Sequence, residues 1–348
     1  MVQVWTSVPP DGLDLASPGV RLHEVALDFE HAGEAGRIGL PVAVARGDRS
    51  GPTVLVAGGT HGDEYEGRVA AASLVRRLEG SLADLAGTLV VLPEHNRPAC
   101  RAGSRRTPLD GADLNRMYPP PPGATGPSAA IARFVAARLL PRIDWLVDLH
   151  SGGIAHEFLP SANLQARVGS AEYRAMLPAL LAFGAPYAII LEEPEAGGLA
   201  MPHAGTLEGL ARAMGKRAIS SELGGAGRIT PVSLAVAERG LRNLLAHIGV
   251  LPGTGSEPAE RSILLALGRP QHHVPAPADG VFAPCVWLGE AVREGELLGE
   301  VHPPDPGGSP AAVRARCDGI VVGVASRGSQ ERGAVLFYVA EPVADADA

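Results

Sequence analysis

The chain has 348 residues, of which 46% are hydrophobic and 20% are charged, so it can build a large folded core. This composition excludes a disordered or collagen-like chain. The formal net charge of −8 argues against nucleic acid as the main partner, because phosphate binding needs a basic face. An acidic chain can still hold a small anionic substrate with a few local arginines.

Cysteine spacing and apolar run lengths indicate the compartment. Cys100, Cys285 and Cys317 form no CxxC motif and are odd in number, which favours a reducing environment. The first twenty residues hold no long apolar stretch, so we expect no signal peptide. No run of about 18 apolar residues occurs in the sequence, so we expect no membrane partner. The sequence therefore predicts a cytoplasmic protein.

In chain order, the elements predict an α/β catalytic domain over residues 1–255. Residues 1–38 carry weak signals and are expected to be an irregular N-terminal segment. From residue 39 onward, short apolar runs alternate with segments of helical periodicity. Predicted strands cover residues 40–45, 52–57, 88–92, 145–148, 188–191 and 217–220, and predicted helices cover 66–78, 128–140, 172–183, 205–214 and 233–248. This alternation predicts a sheet covered by helices on both faces.

The composition changes near residues 251–256, where short strands with Gly, Pro and Asp turns begin. We therefore predict a small β-rich C-terminal domain over residues 256–341. Residues 289–295 resemble the turn of biotinyl and lipoyl barrels, but Lys216 is the only lysine of the chain and lies outside this region. A swinging-arm carrier is thereby excluded.

The first chemical motif, GTHGDEYEG at residues 59–67, follows a predicted buried strand. In open α/β sheets, ligands collect outside the carboxyl ends of strands. His61 and Glu64 are three residues apart, so one turn can direct an imidazole and a carboxylate to one point, as two zinc ligands. Taken alone, the segment is more often a glycine-rich turn with surface acids.

Two further strand ends carry polar residues followed by paired glycines. His150 ends an apolar strand, and Asp148 points to the same face, where it could orient a ligand imidazole. With His61 and Glu64, His150 would leave a fourth position open for water, which is the catalytic zinc pattern. Glu222 is placed to move a proton from that water to a leaving nitrogen. Singly, these residues are better explained as a buried histidine and a turn acid.

A long loop at residues 96–127 is rich in arginine, and loops of this length are usually functional. A guanidinium binds a carboxylate through two parallel hydrogen bonds, so the loop is a candidate site for a free α-carboxylate. Asn115 adds a neutral donor beside Arg116, and a solvated arginine surface is the alternative. The arginines are Arg97, Arg101, Arg105, Arg106 and Arg116.

Four motifs in this order, GTHGDEYEG, DLNR, DLHSGG and ELGG, resemble the succinylglutamate desuccinylase/aspartoacylase family, a branch of the zinc carboxypeptidase fold. The match covers roughly residues 35–250 and implies a mixed sheet. The resemblance implies one zinc ion per chain, with His61, Glu64 and His150 as ligands. It also implies Glu222 as general base and acid.

The resemblance further implies that Asn115 and Arg116 bind a substrate carboxylate. Another upstream arginine usually completes this clamp, and spacing does not choose between Arg105 and Arg106. A basic substrate side chain would call for a nearby acid. The candidates are Glu192, Glu193 and Glu195, with a solvated acidic loop as the alternative for at least two of them.

Together these features predict a zinc-dependent amidohydrolase that removes an acetyl or succinyl group from an N-acyl amino acid. N-acetyl-diaminobutyrate is one candidate substrate, and a homo-oligomer is a further option. The alternative functions are a zinc carboxypeptidase acting on a short peptide and a non-catalytic carboxylate-binding protein.

Overall fold

The computed structural model describes residues 5–78, 82–192, 205–253, 262–305 and 307–343. The α-helices in these ranges are α1 (Glu66–Leu78), α2 (Arg97–Ala102), α3 (Pro127–Phe134), α4 (Ala171–Ala182), α5 (Leu207–Ala213) and α6 (Pro231–His247). The first strands are β1 (Thr6–Val8), β2 (Gly19–His31), β3 (Glu34–Arg46), β4 (Arg49–Gly58), β5 (Ala86–Leu92), β6 (Trp145–His150), β7 (His156–Phe158), β8 (Ser161–Gln165), β9 (Tyr187–Leu191) and β10 (Arg217–Glu222). The later strands are β11 (Ile263–Leu267), β12 (His273–Pro275), β13 (Gly280–Pro284), β14 (Ala291–Val292), β15 (Leu297–His302), β16 (Ala311–Arg314), β17 (Gly319–Ala325), β18 (Ser329–Gln330) and β19 (Val335–Pro342).

The main sheet is mixed and runs in the order β1-β2-β3-β5-β4-β6-β10-β8-β9-β11-β19-β17-β14. The central strands β5, β4, β6 and β10 pair in parallel, whereas β8 joins β10 antiparallel. Side chains from α1, α4 and α6 form one core on the sheet, and those from α3 and α5 form another. The predicted α/β fold with helices on both faces is confirmed. β6 is buried along its whole length, which explains its nearly continuous apolar sequence.

The prediction of an irregular segment over residues 1–38 is wrong. β2 and β3 form a long antiparallel hairpin that extends the main sheet. Val25 and Leu27 are buried, whereas Glu24 is half-buried and Asp28 is exposed, as in a strand with one solvated face. The two-residue turn, Ala32 and Gly33, has positive φ at both positions, 52° and 81°. This turn lacks the Asn-Gly or Asp-Gly signature of two-residue hairpin turns, so the hairpin was not predicted from the sequence.

The C-terminal region is rich in antiparallel strands, as predicted. β11 pairs in parallel with β9 and antiparallel with β19, so the main sheet continues past residue 255 into this region. A separate four-stranded sheet has the order β16-β15-β13-β18. The division into domains of residues 1–255 and 256–341 stays a prediction.

The loop at residues 96–127 contains more regular structure than expected. The short helix α2 begins after Asn96, whose side chain accepts a hydrogen bond from the Ala99 amide. A 3₁₀ turn, Leu114–Arg116, follows Asp113, whose carboxylate accepts from the Asn115 amide. Among the helices of the described ranges, none is both long and apolar enough to cross a membrane.

Candidate active site

A cavity of about 330 Å³ lies at the carboxyl ends of β4, β6 and β10. The turn after β4 carries His61 and Glu64, while β6 and β10 end in His150 and Glu222. A side chain at Gly62 would collide with the backbone of Ala99, so this turn can press against α2 only as glycine. The parallel strands thus bring the three predicted motifs to one edge of the sheet, as expected.

The three predicted metal ligands converge. The Nδ1 atoms of His61 and His150 lie 2.6 and 2.8 Å from the two carboxylate oxygens of Glu64. The ring centroids of the histidines are 5.2 Å apart, and one donor atom of each residue lies within 4.8 Å of the others. All three side chains are buried. Two imidazole nitrogens and a carboxylate form a donor set that zinc prefers.

The second nitrogen of each histidine faces another carboxylate. His61 Nε2 lies 3.0 Å from Asp113 Oδ1, and His150 Nε2 lies 3.1 Å from Asp148 Oδ2. Burial alone would lower the pKa of both histidines, but the neighbouring carboxylates outweigh it and raise both. With one proton on Nε2 directed at these carboxylates, a cation can replace the proton that lies between each Nδ1 and Glu64, so the residues fit a bound cation. Asp148 lies where predicted, whereas sequence reasoning missed Asp113 despite its place in the DLNR motif.

A chain of buried hydrogen bonds holds Asp148 through Oδ1, the carboxylate oxygen that does not face His150. The Thr60 hydroxyl donates to Asp148 Oδ1 at 3.2 Å and lies 3.0 Å from His95 Nδ1. His95 Nε2 in turn lies 2.6 Å from the Tyr118 hydroxyl. Burial lowers the pKa of His95 to about 4, so this ring is neutral near pH 7. The chain therefore holds Asp148, and through it His150, in one orientation.

Glu222 lies beside the three ligands. Glu222 lies opposite His150 in the parallel register of β10 and β6, and its side chain lines the cavity. Within the described part of the chain, Oε2 is buried without a hydrogen-bond partner. Burial and the negative charge of Glu64 raise the pKa of Glu222 to about 8. The group can therefore exchange a proton near neutral pH.

The structure distinguishes the two candidate arginines by position. Arg105 lines the cavity and pairs with Asp113 at 3.2 Å and Glu64 at 3.5 Å. Arg106 instead donates to the Gly111 carbonyl on the surface and is not among the lining residues. Arg116 lines the cavity, where burial and the nearby Arg105 both lower its pKa. Two neighbouring guanidinium groups in a cavity favour an anionic ligand.

Asn115 also lines the cavity, as predicted. Its amide oxygen accepts a hydrogen bond from the Leu207 amide at 3.0 Å. The amide nitrogen is therefore the end that can donate to a ligand. Arg97 lies elsewhere, because its guanidinium binds Glu24 and the Gly39 carbonyl.

Beyond β10, the cavity wall continues over β8, β9 and β11. Its acidic residue Glu208, on α5, was missed, because a single acid in the first turn of a helix carries no functional signal. Burial raises the pKa of Glu208 to about 7. Of the acids proposed from sequence, Glu192 lines the cavity and accepts a hydrogen bond from Arg269 at 3.1 Å. Glu193 and Glu195 lie outside the described residues.

The C-terminal strands close another part of the wall. Tyr338 of β19 lines the cavity, and its ring lies 5.1 Å from Phe158 and 5.3 Å from both His156 and His273. Burial and the negative charge of Glu222 raise the pKa of Tyr338 to about 12, so its hydroxyl stays protonated. Sequence analysis missed this residue, because only the pairing of β19 with β11 and β17 brings it to the site.

A second cluster, His272, Cys317 and Glu341, also brings three donor atoms within 4.8 Å of one another. His272 Nδ1 accepts hydrogen bonds from the backbone amides of Gly268 and Arg269 at 2.9 and 3.1 Å. Burial lowers the pKa of His272, so the ring is neutral and its proton is on Nε2, which faces Glu341 at 3.6 Å. With Nδ1 occupied and the proton on Nε2, this cluster offers a cation no free imidazole lone pair and fits a metal ion less well than the first cluster.

Comparison with known proteins places the site in a family. The model of the succinylglutamate desuccinylase/aspartoacylase catalytic domain matches residues 50–248. The chain is 34% identical to N-alpha-acetyl-L-2,4-diaminobutyric acid deacetylase of Halomonas elongata, over 95% of this chain and 94% of that protein.

Solved structures agree. The product-bound ectoine utilization protein EutE (DoeB) of Ruegeria pomeroyi has a TM-score of 0.85 and 34% identity, with 95% of this chain and 98% of that one covered. A succinylglutamate desuccinylase/aspartoacylase of Rhodobacter sphaeroides also has a TM-score of 0.85, with 31% identity and coverage of 96% and 98%. The four sequence motifs and these matches lead to one assignment: the chain belongs to the succinylglutamate desuccinylase/aspartoacylase family.

Proposed function

We propose that this protein is a zinc-dependent hydrolase that removes a short acyl group from an N-acyl amino acid, with N-acetyl-diaminobutyrate as the favoured substrate. The observation that carries the proposal is the convergence of His61, Glu64 and His150 on one point beside the buried carboxyl group of Glu222. The relatives support the reaction class, since they are named as a deacetylase and as desuccinylases.

Different residues hold the metal ion and transfer the proton. A zinc ion held by His61, Glu64 and His150, one per chain, would polarise the acyl carbonyl and acidify a water molecule. Glu222 accepts the proton of the attacking water and delivers it to the departing amine nitrogen. The water oxygen ends in the acyl product, so hydrolysis gives a short carboxylate and a free amino acid.

The cationic side of the cavity positions the substrate. We assign Arg105 and Arg116 to the α-carboxylate, because both residues line the cavity, Arg105 lies 3.5 Å from Glu64, and Arg105 is near enough to Arg116 to lower its pKa. Asn115 can add a hydrogen bond from its amide nitrogen. Binding the carboxylate at this point fixes the scissile amide toward Glu222.

The test is Glu222→Gln, which keeps the shape of the side chain and removes its ability to accept a proton. We expect zinc content equal to that of the unchanged protein and a fall in kcat of at least about 1,000-fold on N-acetyl-diaminobutyrate. Glu172→Gln, at an exposed residue of α4, is the control. Near-full activity of the Glu222 variant would refute the mechanism. Faster cleavage of short peptides than of acetyl and succinyl amino acids would favour a carboxypeptidase.

A further inference from the structure

Five acidic residues line the described part of the cavity: Glu64, Asp148, Glu192, Glu208 and Glu222. Glu64 and Asp148 face the histidines of the metal site, and Glu222 is assigned to proton transfer. Glu192 is paired with Arg269. Among the described residues, Glu208 is the one acid of this set that has neither a role in the proposed reaction nor an ion pair.

The carboxylate of Glu208 is buried and incompletely satisfied. Glu208 is only 4% exposed and belongs to α5, which packs against β10 and β6. Oε2 accepts a hydrogen bond from Gln165 Nε2 at 3.0 Å. Among the described residues, Oε1 is buried without a hydrogen bond of standard geometry, although the Ser220 hydroxyl is near enough to the carboxyl group to lower its pKa. A buried carboxylate in this state is unfavourable unless a cation or a proton joins it.

The charged groups around Glu208 do not neutralise it. Asp148 raises its pKa, while Arg212 and His150 lower it, and burial exceeds all of these effects. Arg212 is directed elsewhere, because its Nε and Nη2 atoms donate to Glu172 and its Nη1 donates to Gln165. The Arg212 guanidinium therefore supports the Gln165 amide, and Glu208 lines the cavity.

The cavity that Glu208 lines suits a short aliphatic chain with a charged end. Strands β9 and β11 contribute apolar side chains, and β17 adds another; these are Ile189, Leu191, Leu267 and Val322. Polar side chains from β8 and β10 lie on the same cavity wall; these are Asn163, Gln165, Ser220 and Ser221. Methylene groups can pack on the first set while an ammonium group donates to the second set and to Glu208.

We propose that Glu208 binds the side-chain ammonium group of the substrate and thereby selects N-acyl amino acids with short cationic side chains. This inference rests on the proposed deacylase function and adds the residue that sets substrate preference. Arg105 and Arg116 hold the α-carboxylate, and Glu208 holds the opposite charge of the same molecule. A zwitterionic substrate is then bound by its two charges, with the amide between them.

The test compares two substrates of similar size, N-α-acetyl-2,4-diaminobutyrate and N-acetyl-norvaline, whose side chain ends in a methyl group instead of an ammonium group. We expect the unchanged protein to prefer the cationic substrate by about 100-fold in kcat/KM. Glu208→Gln removes this preference, lowering kcat/KM about 100-fold for the cationic substrate and less than about 3-fold for the neutral one. Glu331→Gln, at an exposed residue that does not line the cavity, is the matched control and changes neither value by more than about 3-fold.

Glu208→Asp keeps the charge on a shorter side chain and should retain an intermediate preference, which a purely structural role would not produce. Calorimetric titration with 2,4-diaminobutyrate and with norvaline measures the same selectivity without turnover. Equal losses on both substrates in Glu208→Gln would overturn the proposal, as would equal rates of the unchanged protein on both. If the protein hydrolyses no N-acyl amino acid, the proposed function fails, and the calorimetric titration decides the role of Glu208 by itself.

Discussion

Two clusters among the described residues bring a histidine, an acid and a third donor residue equally close together, yet their ring nitrogens differ in what they can offer a cation. In the cluster of His61, Glu64 and His150, each Nε2 faces a carboxylate, so Nε2 can hold the ring proton while Nδ1 is directed at the shared centre. In the cluster of His272, Cys317 and Glu341, two backbone amides already occupy His272 Nδ1.

The difference shows that proximity of donor atoms does not make a metal site. The atoms behind the ligands decide which ring nitrogen carries the proton, and therefore which one is available. In the metal-free protein, burial raises the pKa of the Cys317 thiol to about 11, so a metal ion would have to displace its proton as well. Four sets of variants challenge or refine this contrast, beginning with the largest expected effect.

Removing one histidine from each cluster gives the largest expected contrast. His150→Ala should lose bound zinc and reduce turnover to background, because one of three ligands disappears. His272→Ala should retain zinc content and most activity, with a loss of thermal stability from the vacated buried position. Metal analysis and steady-state assays measure both outcomes. Zinc loss in His272→Ala would mean that the second cluster binds metal after all.

The arginine next to the first cluster should matter more than its neighbour in sequence. Arg105→Ala should lower kcat/KM about 300-fold, mainly through KM, because two charge-assisted hydrogen bonds to the substrate carboxylate are lost. Arg106→Ala should change it less than about 3-fold, because its guanidinium reaches only the Gly111 carbonyl. The opposite ranking would exchange the two assignments.

Glu208 should make the free energy of unfolding depend on pH. Its pKa rises from 4.5 to about 7 on folding, so the folded state binds this proton more tightly than the unfolded chain. The resulting stabilisation is complete below pH 4.5 and is lost as the pH rises through 7.

Glu208→Gln lacks this proton, so it should be more stable than the unchanged protein at pH 8 by up to about 3 kcal/mol. At pH 5 the difference should shrink toward zero. Urea unfolding of metal-free protein at both pH values measures this effect and avoids the pH dependence of metal binding. A stability difference of the same size at pH 5 and pH 8 would contradict the assigned pKa.

Replacing the carboxylates that face Nε2 of the two histidines should give the smallest effect. Asp113→Asn and Asp148→Asn should each weaken zinc binding by about 10–100-fold, because an amide orients the imidazole less firmly than a carboxylate. Glu341→Gln, next to His272, is the matched control and should leave zinc affinity unchanged. A zinc competition titration with a chelator compares all three variants. Unchanged zinc affinity in both aspartate variants would mean that Asp113 and Asp148 do not determine which cluster binds zinc.

The sequence revealed those parts of the site that depend on short spacings. His61 and Glu64 share one turn, and His150 and Glu222 end apolar strands, so their meeting follows from the order of parallel strands. Asp113 was missed as the partner of His61, because only the fold of the long loop brings it to that ring.

Other features depend on packing between distant segments. Glu208 reaches the cavity because α5 packs against β10, and Tyr338 does so because β19 joins β11. Neither packing leaves a local sequence signal. The β2–β3 hairpin was missed for a conformational reason, since Ala32 adopts a positive φ that alanine rarely takes.

The continuity of β11 with β19 has an evolutionary consequence. β19, the last strand within the described residues, extends the main sheet and also brings Tyr338 to the cavity. Under the proposed function, mutations in this strand could therefore alter the substrate while the turn that carries His61 and Glu64 stays the same. Exchange of this segment with that of a relative would test whether it contributes to specificity.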